Sequence, residues 1–240
     1  MKTVLITGAA GGVGQSVARR FTAGGWRVIG TDLVAADGVD FVADLTDVAE
    51  CRRVVAEAAA LHGALDGVVL AAGVWTEGDS SLTTEAEYDR CFDVNVKAAY
   101  FTISAAIPHL IATSGWVTAL SSDAGVQGNS GAAVYSATKG AVSNLVRALS
   151  HELAPQGVRV NAVCPGDIDT PMLAGQARDF GGDDPQAYLE TLLATYPQGD
   201  RARFISPDEV AALIWFLGQP EAAPITGANL SIDFGLSAGI

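Results

Sequence analysis

Short apolar runs rich in β-branched residues alternate along the whole chain with longer, Ala-rich amphipathic stretches. The runs Val4–Thr7, Arg27–Thr31, Gly67–Ala71, Trp116–Leu120 and Arg159–Cys164 predict strands, with shorter ones at Asp40–Ala43 and Asn229–Ile232. They are continuously apolar instead of alternating, which suits a parallel sheet covered on both faces. Helical periodicity predicts helices over Gly14–Ala23, Val48–Leu61, Glu85–Leu110, Tyr135–Leu153 and Pro207–Leu217. Repeated β-α-β alternation without a break in composition predicts one α/β domain over residues 1–240, a doubly wound parallel sheet of about seven strands.

One stretch departs from this rhythm. Residues 172–205 carry Gly175, Gly181, Gly182, Pro185, Pro197 and Gly199 around one short helical segment near Gln186–Ala194. Long excursions from compact domains tend to be lids or binding loops, so a substrate-binding lid is expected here.

Composition narrows the function classes. The chain is 49% hydrophobic and 17% charged, enough for a two-sided core, yet no apolar run reaches the ~20 residues that span a bilayer. Lys2 runs straight into the strand at Thr3–Ile6 with no leader-like pattern, so a cytoplasmic location is expected. A net charge of −13 argues against nucleic acid as a partner. The three cysteines, Cys51, Cys91 and Cys164, have no ligand spacing and no nearby histidine, which predicts buried thiols and no metal.

Directly after the first strand stands Thr7-Gly8-Ala9-Ala10-Gly11-Gly12-Val13-Gly14, followed by a helix. Glycines at a strand-to-helix turn let the backbone approach a pyrophosphate, and the helix start offers free N–H groups and positive partial charge. Asp32 ends the second strand, where its carboxylate can accept both adenosine-ribose hydroxyls and would repel a 2′-phosphate. No lysine or arginine directly follows it or lies in the glycine turn, so NAD is the expected cofactor.

Tyr135 and Lys139 are four residues apart, on one face of a predicted helix. A phenol has a pKa of about 10; a neighbouring ammonium and a cationic nicotinamide ring favour its phenolate and bring it toward a useful range for acid–base work.

Taken together, these motifs resemble the short-chain dehydrogenase/reductase family in its single-domain branch, over nearly the whole chain. The resemblance rests on Gly8, Gly12 and Gly14; Asp32; Asp44-Leu45; Gly73; Asn95; Ser122; Tyr135 and Lys139; and Pro165, Gly166, Ile168 and Thr170. It implies a Rossmann fold. Asp44 and Leu45 are expected at the adenine, and Gly73 beside the cofactor. Pro165, Gly166, Ile168 and Thr170 belong to the segment that would hold the nicotinamide. Tyr135 is then the proton donor or acceptor, Lys139 its partner and the holder of the ribose, Ser122 the group that fixes the substrate oxygen, and Asn95 the support for a water. Family spacing selects Ser122 over Ser121, which is expected to satisfy a backbone group at the strand end. No metal is implied.

The chain departs from the family at Leu70-Ala71-Ala72-Gly73, where Asn-Asn-Ala-Gly is usual, and at Asp233-Phe234-Gly235, where a double glycine is commoner. Expected pocket residues are Val74, Trp75, Asp123, Gln127, Asn129, Phe180, Tyr188 and Tyr196. The expected substrate is a small free secondary alcohol or its ketone, cyclic and hydroxylated forms included. Rival readings are a 3-oxoacyl-thioester reductase, for which only Arg178, Arg201 and Arg203 stand near the mouth, and an NAD-binding pseudoenzyme. The resemblance also implies a homodimer or homotetramer built through the long helices.

Overall fold

The computed structural model describes residues 1–239. Seven strands, β1 (Thr3–Thr7), β2 (Arg27–Asp32), β3 (Phe41–Val42), β4 (Gly67–Leu70), β5 (Trp116–Leu120), β6 (Arg159–Pro165) and β7 (Asn229–Ile232), form one parallel sheet. Their order is β3-β2-β1-β4-β5-β6-β7. The helices are α1 (Gly12–Ala23), α2 (Val48–His62), α3 (Glu85–Phe92), α4 (Ala98–Thr113), α5 (Ala133–Leu153), α6 (Pro171–Phe180), α7 (Pro185–Ala194) and α8 (Pro207–Leu217).

All five residues of β1 are buried, because successive side chains feed two different cores. Leu5 packs with Ile29, Val68 and Val117 under α2, α4 and α5. Val4 and Ile6 point the other way, into a layer with Val17, Phe21, Trp116 and Ile214 under α1 and α8. Strand order reverses between β1 and β4, and that switch opens a crevice at the carboxyl ends of the strands.

Two elements differ from the sequence pattern. The helix expected over Glu85–Leu110 is interrupted by a π turn at Asp93–Lys97, between α3 and α4. A π turn widens the helix locally without breaking its apolar stripe, so periodicity does not register it. In the excursion above the sheet, α6 is a second helix. Thr170 Oγ1 accepts from Leu173 N at 3.4 Å and Pro171 fills the first turn, where its missing N–H costs nothing.

Candidate active site

The glycine turn is fixed by close backbone approaches. Gly8 has φ +69°, and a Cβ there would stand 2.6 Å from Ala72 N. A Cβ on Gly14 would stand 2.1 Å from Gly8 O. Helix α1 starts at Gly12; Gly11 before it offers no side-chain cap, and the first turn of the helix holds no acidic residue. Its leading N–H groups are therefore left for an external anion, as a pyrophosphate requires. Gly8, Gly12, Val13, Gly14, Tyr135, Lys139, Pro165, Gly166, Ile168 and Thr170 all border one cavity of about 210 Å³.

A second cavity of about 310 Å³ adjoins it, bordered by Asp32, Asp44, Leu45 and Gly73. Asp32 Oδ2 accepts from Ala10 N at 3.0 Å, which ties the carboxylate to the glycine turn. Thr46 donates to Asp44 Oδ1 from its backbone N and its hydroxyl, at 3.0 and 2.7 Å. These bonds, the hydroxyl first, hold the Asp44 carboxyl below its ordinary range. Among the described residues, no lysine or arginine borders this cavity. An uncapped helix start, glycine-only approaches and an acidic, base-free far end fit a nicotinamide dinucleotide.

At the other end, Ser122, Tyr135 and Lys139 line the first cavity together. Lys139 is 4% exposed; its Nζ donates to Leu120 O at 2.9 Å and lies 5.5 Å from the centre of the Tyr135 ring. Burial lowers the lysine to a pKa of about 8. Burial also pushes the Tyr135 phenol above its ordinary value; the Ser122 hydroxyl opposes this, while the charges of Asp123 and Asp167 add to it. Loss of hydration is thus the largest influence on the phenol among these residues.

Ser121 does satisfy a backbone group, though on α5: its Oγ donates to Lys139 O at 3.0 Å and pairs with Ser143 Oγ at 2.8 Å. Asn95 sits in the π turn and is 2% exposed. Its side chain accepts from Val74 N at 2.8 Å and donates to Val74 O and to Thr138 Oγ1, both at 3.0 Å. Bracing of the β4 end, which the usual amides at positions 70 and 71 would share, comes here from Asn95 and from Thr7 Oγ1, which accepts from Ala72 N at 3.2 Å. A Cβ on Gly73 would approach Asn95 Oδ1 to 3.3 Å and Lys139 Nζ to 3.6 Å, so a larger residue there would press on both.

A third, smaller cavity of about 90 Å³ opens beside Tyr135 and Ser122. Trp75, Asp123 and Asn129 border it as the sequence suggests, whereas Gln127, Phe180, Tyr188 and Tyr196 do not. Gln127 instead donates to Asp123 Oδ2 at 3.1 Å, as does Asn129 at the same distance. Tyr188 donates to Glu77 Oε2 at 2.7 Å, and the same oxygen accepts from Trp75 Nε1 at 3.0 Å. Trp75 lies against Tyr135 with ring centres 4.2 Å apart. Phe180 is an exposed side chain at the end of α6, and Tyr196 is buried beneath Gly166, its hydroxyl accepting from Asp167 N at 2.6 Å.

Asp167, Met172 and Gln176 also border the small cavity; the last two lie in the 172–205 stretch expected to be the lid, whereas nothing in the sequence pattern singles out Asp167. Asp167 follows Gly166 directly, so its neighbourhood was the available signal. Met172, half exposed, borders all three cavities.

Comparison with known proteins agrees with this geometry. A family profile described as Enoyl-(Acyl carrier protein) reductase matches residues 8–237. The chain is 34% identical over 250 residues to meso-2,3-butanediol dehydrogenase of Serratia marcescens, covering 99% of this chain and 95% of that protein. Aldohexose dehydrogenase of Thermoplasma acidophilum superposes with a TM-score of 0.90 at 30% identity, over 99% of this chain and 94% of that one. A 3-ketoacyl-(acyl-carrier-protein) reductase of Brucella melitensis, complexed with NADH, gives 0.85 at 30% identity over 98% of both chains. The glycine turn, the Tyr135–Lys139 pair and these full-length matches identify the chain as a member of the short-chain dehydrogenase/reductase family, oxidoreductases that act on CH–OH groups with a nicotinamide cofactor.

Proposed function

We propose that this chain is an NAD-dependent dehydrogenase that interconverts a small, free secondary alcohol and its ketone. The observation that carries the reading is the alignment of three cavities: the base-free one at Asp32, the one lined by Ser122, Tyr135 and Lys139, and the small one beside Tyr135. Asp32 would accept the adenosine-ribose hydroxyls, Asp44 and Leu45 would flank the adenine, and the first turn of α1 would face the pyrophosphate. Pro165, Gly166, Ile168 and Thr170 would hold the nicotinamide, which supplies the hydride chemistry when bound.

In oxidation, Tyr135 Oη takes the proton from the substrate hydroxyl while hydride leaves the carbinol carbon. Ser122 fixes the substrate oxygen, and Lys139 steadies the phenolate and the ribose. Asn95 keeps Val74 and Thr138 in register, and so holds the cavity floor; in the family reading it also supports a water near Lys139. Residues 172–205, tied to Glu77 through Tyr188, act as the lid. The relatives named above act on a diol, a sugar and an acyl-carrier thioester. A carrier substrate is less favoured, because Arg203, one of three arginines near the mouth, is engaged by Glu209 at 2.8 and 2.6 Å. We place the enzyme in the cytoplasm as a homodimer or homotetramer; among the described residues no helix is long and apolar enough to cross a membrane.

The test is a spectrophotometric screen for reduced nicotinamide with secondary alcohols, diols, polyols and hydroxyacyl thioesters, offered with NAD and then with NADP. Turnover of a free alcohol with NAD is expected. Activity confined to thioesters or to NADP would overturn the reading. In Tyr135→Phe, NADH binding should survive while turnover falls at least about 100-fold.

A further inference from the structure

The small cavity beside Tyr135 has a charge character that hydride transfer does not call for. Among the described residues, two carboxylates border it, Asp123 and Asp167, and no lysine, arginine or histidine does. Their roles differ. Asp123 is 7% exposed and has both oxygens engaged, Oδ1 by Ser122 Oγ at 2.8 Å and Oδ2 by Gln127 and Asn129. Asp167 accepts from Tyr196 at Oδ2, 3.1 Å away, and among the described residues none donates to its Oδ1. That oxygen is not sealed off, and Asp167 shares the lining of the cavity with Tyr135, itself nine-tenths buried and without a hydrogen-bond partner beyond its neighbour Ser122.

Withdrawal from water, then the charge of Asp123 and that of Glu77, raise the Asp167 carboxyl to about 6. An anionic group entering this space would meet two carboxylates and gain no cation. A hydroxyl or an ammonium would give Asp167 the donor it lacks, in a charge-assisted bond about twice as strong as a neutral one. A cavity of about 90 Å³ holds only a few heavy atoms, so that donor has to sit close to the reacting carbon.

We infer that the pocket selects a substrate with a hydrogen-bond donor, hydroxyl or ammonium, within a carbon or two of the reacting carbinol and no negative charge there, and that Asp167 is the residue that reads this donor. This rests on the dehydrogenase reading above and adds to it the chemical class of the substrate. It makes Asp167 a specificity residue, while proton transfer stays with Tyr135.

The test uses a matched series on one carbon skeleton: isopropanol, propylene glycol, isopropanolamine and lactate, each assayed with NAD for kcat/KM. Propylene glycol, isopropanolamine or both should exceed isopropanol by about 10-fold or more, and lactate should fall below it. The higher of the two shows whether hydroxyl or ammonium is the donor read. Asp167→Asn should shrink the advantage of the donor-bearing compounds to under about 3-fold and raise lactate. Lactate matching the glycol, or a ranking unchanged in Asp167→Asn, overturns the inference and leaves the dehydrogenase reading standing. Should no compound turn over, the pocket is tested by binding alone, through Trp75 emission in the NADH complex with Trp75→Phe as the blank. Quenching by glycol or amine at lower concentration than by lactate supports the inference, and the reverse order refutes it. Failure of the dehydrogenase reading itself shows separately, as no turnover of any alcohol in the wider screen by a protein that binds NADH.

Discussion

Ser122 Oγ donates to Asp123 Oδ1 at 2.8 Å, so the hydroxyl beside Tyr135 is oriented by its own neighbour in sequence. The same Oγ accepts from Ala124 N at 3.1 Å. Held from both sides by adjoining residues, the hydroxyl keeps one position beside Tyr135, where Ser122 is proposed to fix the substrate oxygen.

Asp123 also adds to the upward push on the Tyr135 phenol, behind burial as the main cause. Asp123→Asn removes that charge at nearly constant shape. Tyr135 should then lose its proton more readily, and the rising limb of the pH profile for alcohol oxidation should move down by about 0.5–1 unit. A profile of kcat/KM against pH that stays in place would separate Asp123 from the proton transfer.

Lys139 bears a stability cost. Its folded pKa is lowered from 10.5 to about 8, so the ammonium is disfavoured in the fold, and the loss is present in full once the pH is below about 8. Lys139→Met should abolish turnover yet raise Tm at pH 7 by about 2–8 °C, after about 1 kcal/mol is conceded for the bond to Leu120 O. At pH 10 the gain should shrink. Thermal unfolding at the two pH values checks both signs.

Asp167 offers the acidic counterpart. Its carboxyl is raised from 3.8 to about 6, so its contribution is most favourable below 3.8 and is lost as pH rises through 6. Asp167→Asn should melt a few degrees above the wild type at pH 8 and only about half as far above it at pH 5. An equal offset at both values would show that its titration does not enter.

Asp32 is tied to Ala10 N and lies on a cavity without basic residues. Asp32→Ala should lower the preference for NAD over NADP by about 10- to 100-fold, read as the ratio of kcat/KM values. An unchanged ratio would remove Asp32 from cofactor selection.

Gly8 combines a left-handed backbone with a 2.6 Å approach to Ala72 N. Gly8→Ala meets both problems, at about 1–2 kcal/mol for the conformation alone. The variant should lose at least that much in denaturant unfolding and bind NADH at least about 10-fold more weakly.

Much of this was legible in the sequence because it is written in local terms. The β1 run, the glycine turn and Asp32 lie within 32 residues of the start, and their spacing alone indicates the crevice. Tyr135 and Lys139 share a face through helix geometry. What escaped depends on distant partners. Gly175 inside α6 masks a helix that Thr170 and Pro171 announce. The π turn leaves no mark on periodicity, although it is what carries Asn95 to Val74. Asp167 acquires its character from burial and from the charges of Asp123 and Glu77, opposed by the Tyr196 hydroxyl, and none of these three residues is near it in the chain. Tyr188 looks like a pocket aromatic until Glu77, 111 residues away, is seen to accept its proton.

Met172 borders the cavities at Asp32, at Lys139 and at Asp167. An unbranched thioether in that place forms a partition common to two ligands, free to take a new rotamer when either arrives. Affinities on its two sides are then thermodynamically linked. The factor by which dinucleotide tightens alcohol binding must equal the factor by which alcohol tightens dinucleotide binding, and replacing this one flexible side chain with a stiff one would reset both together.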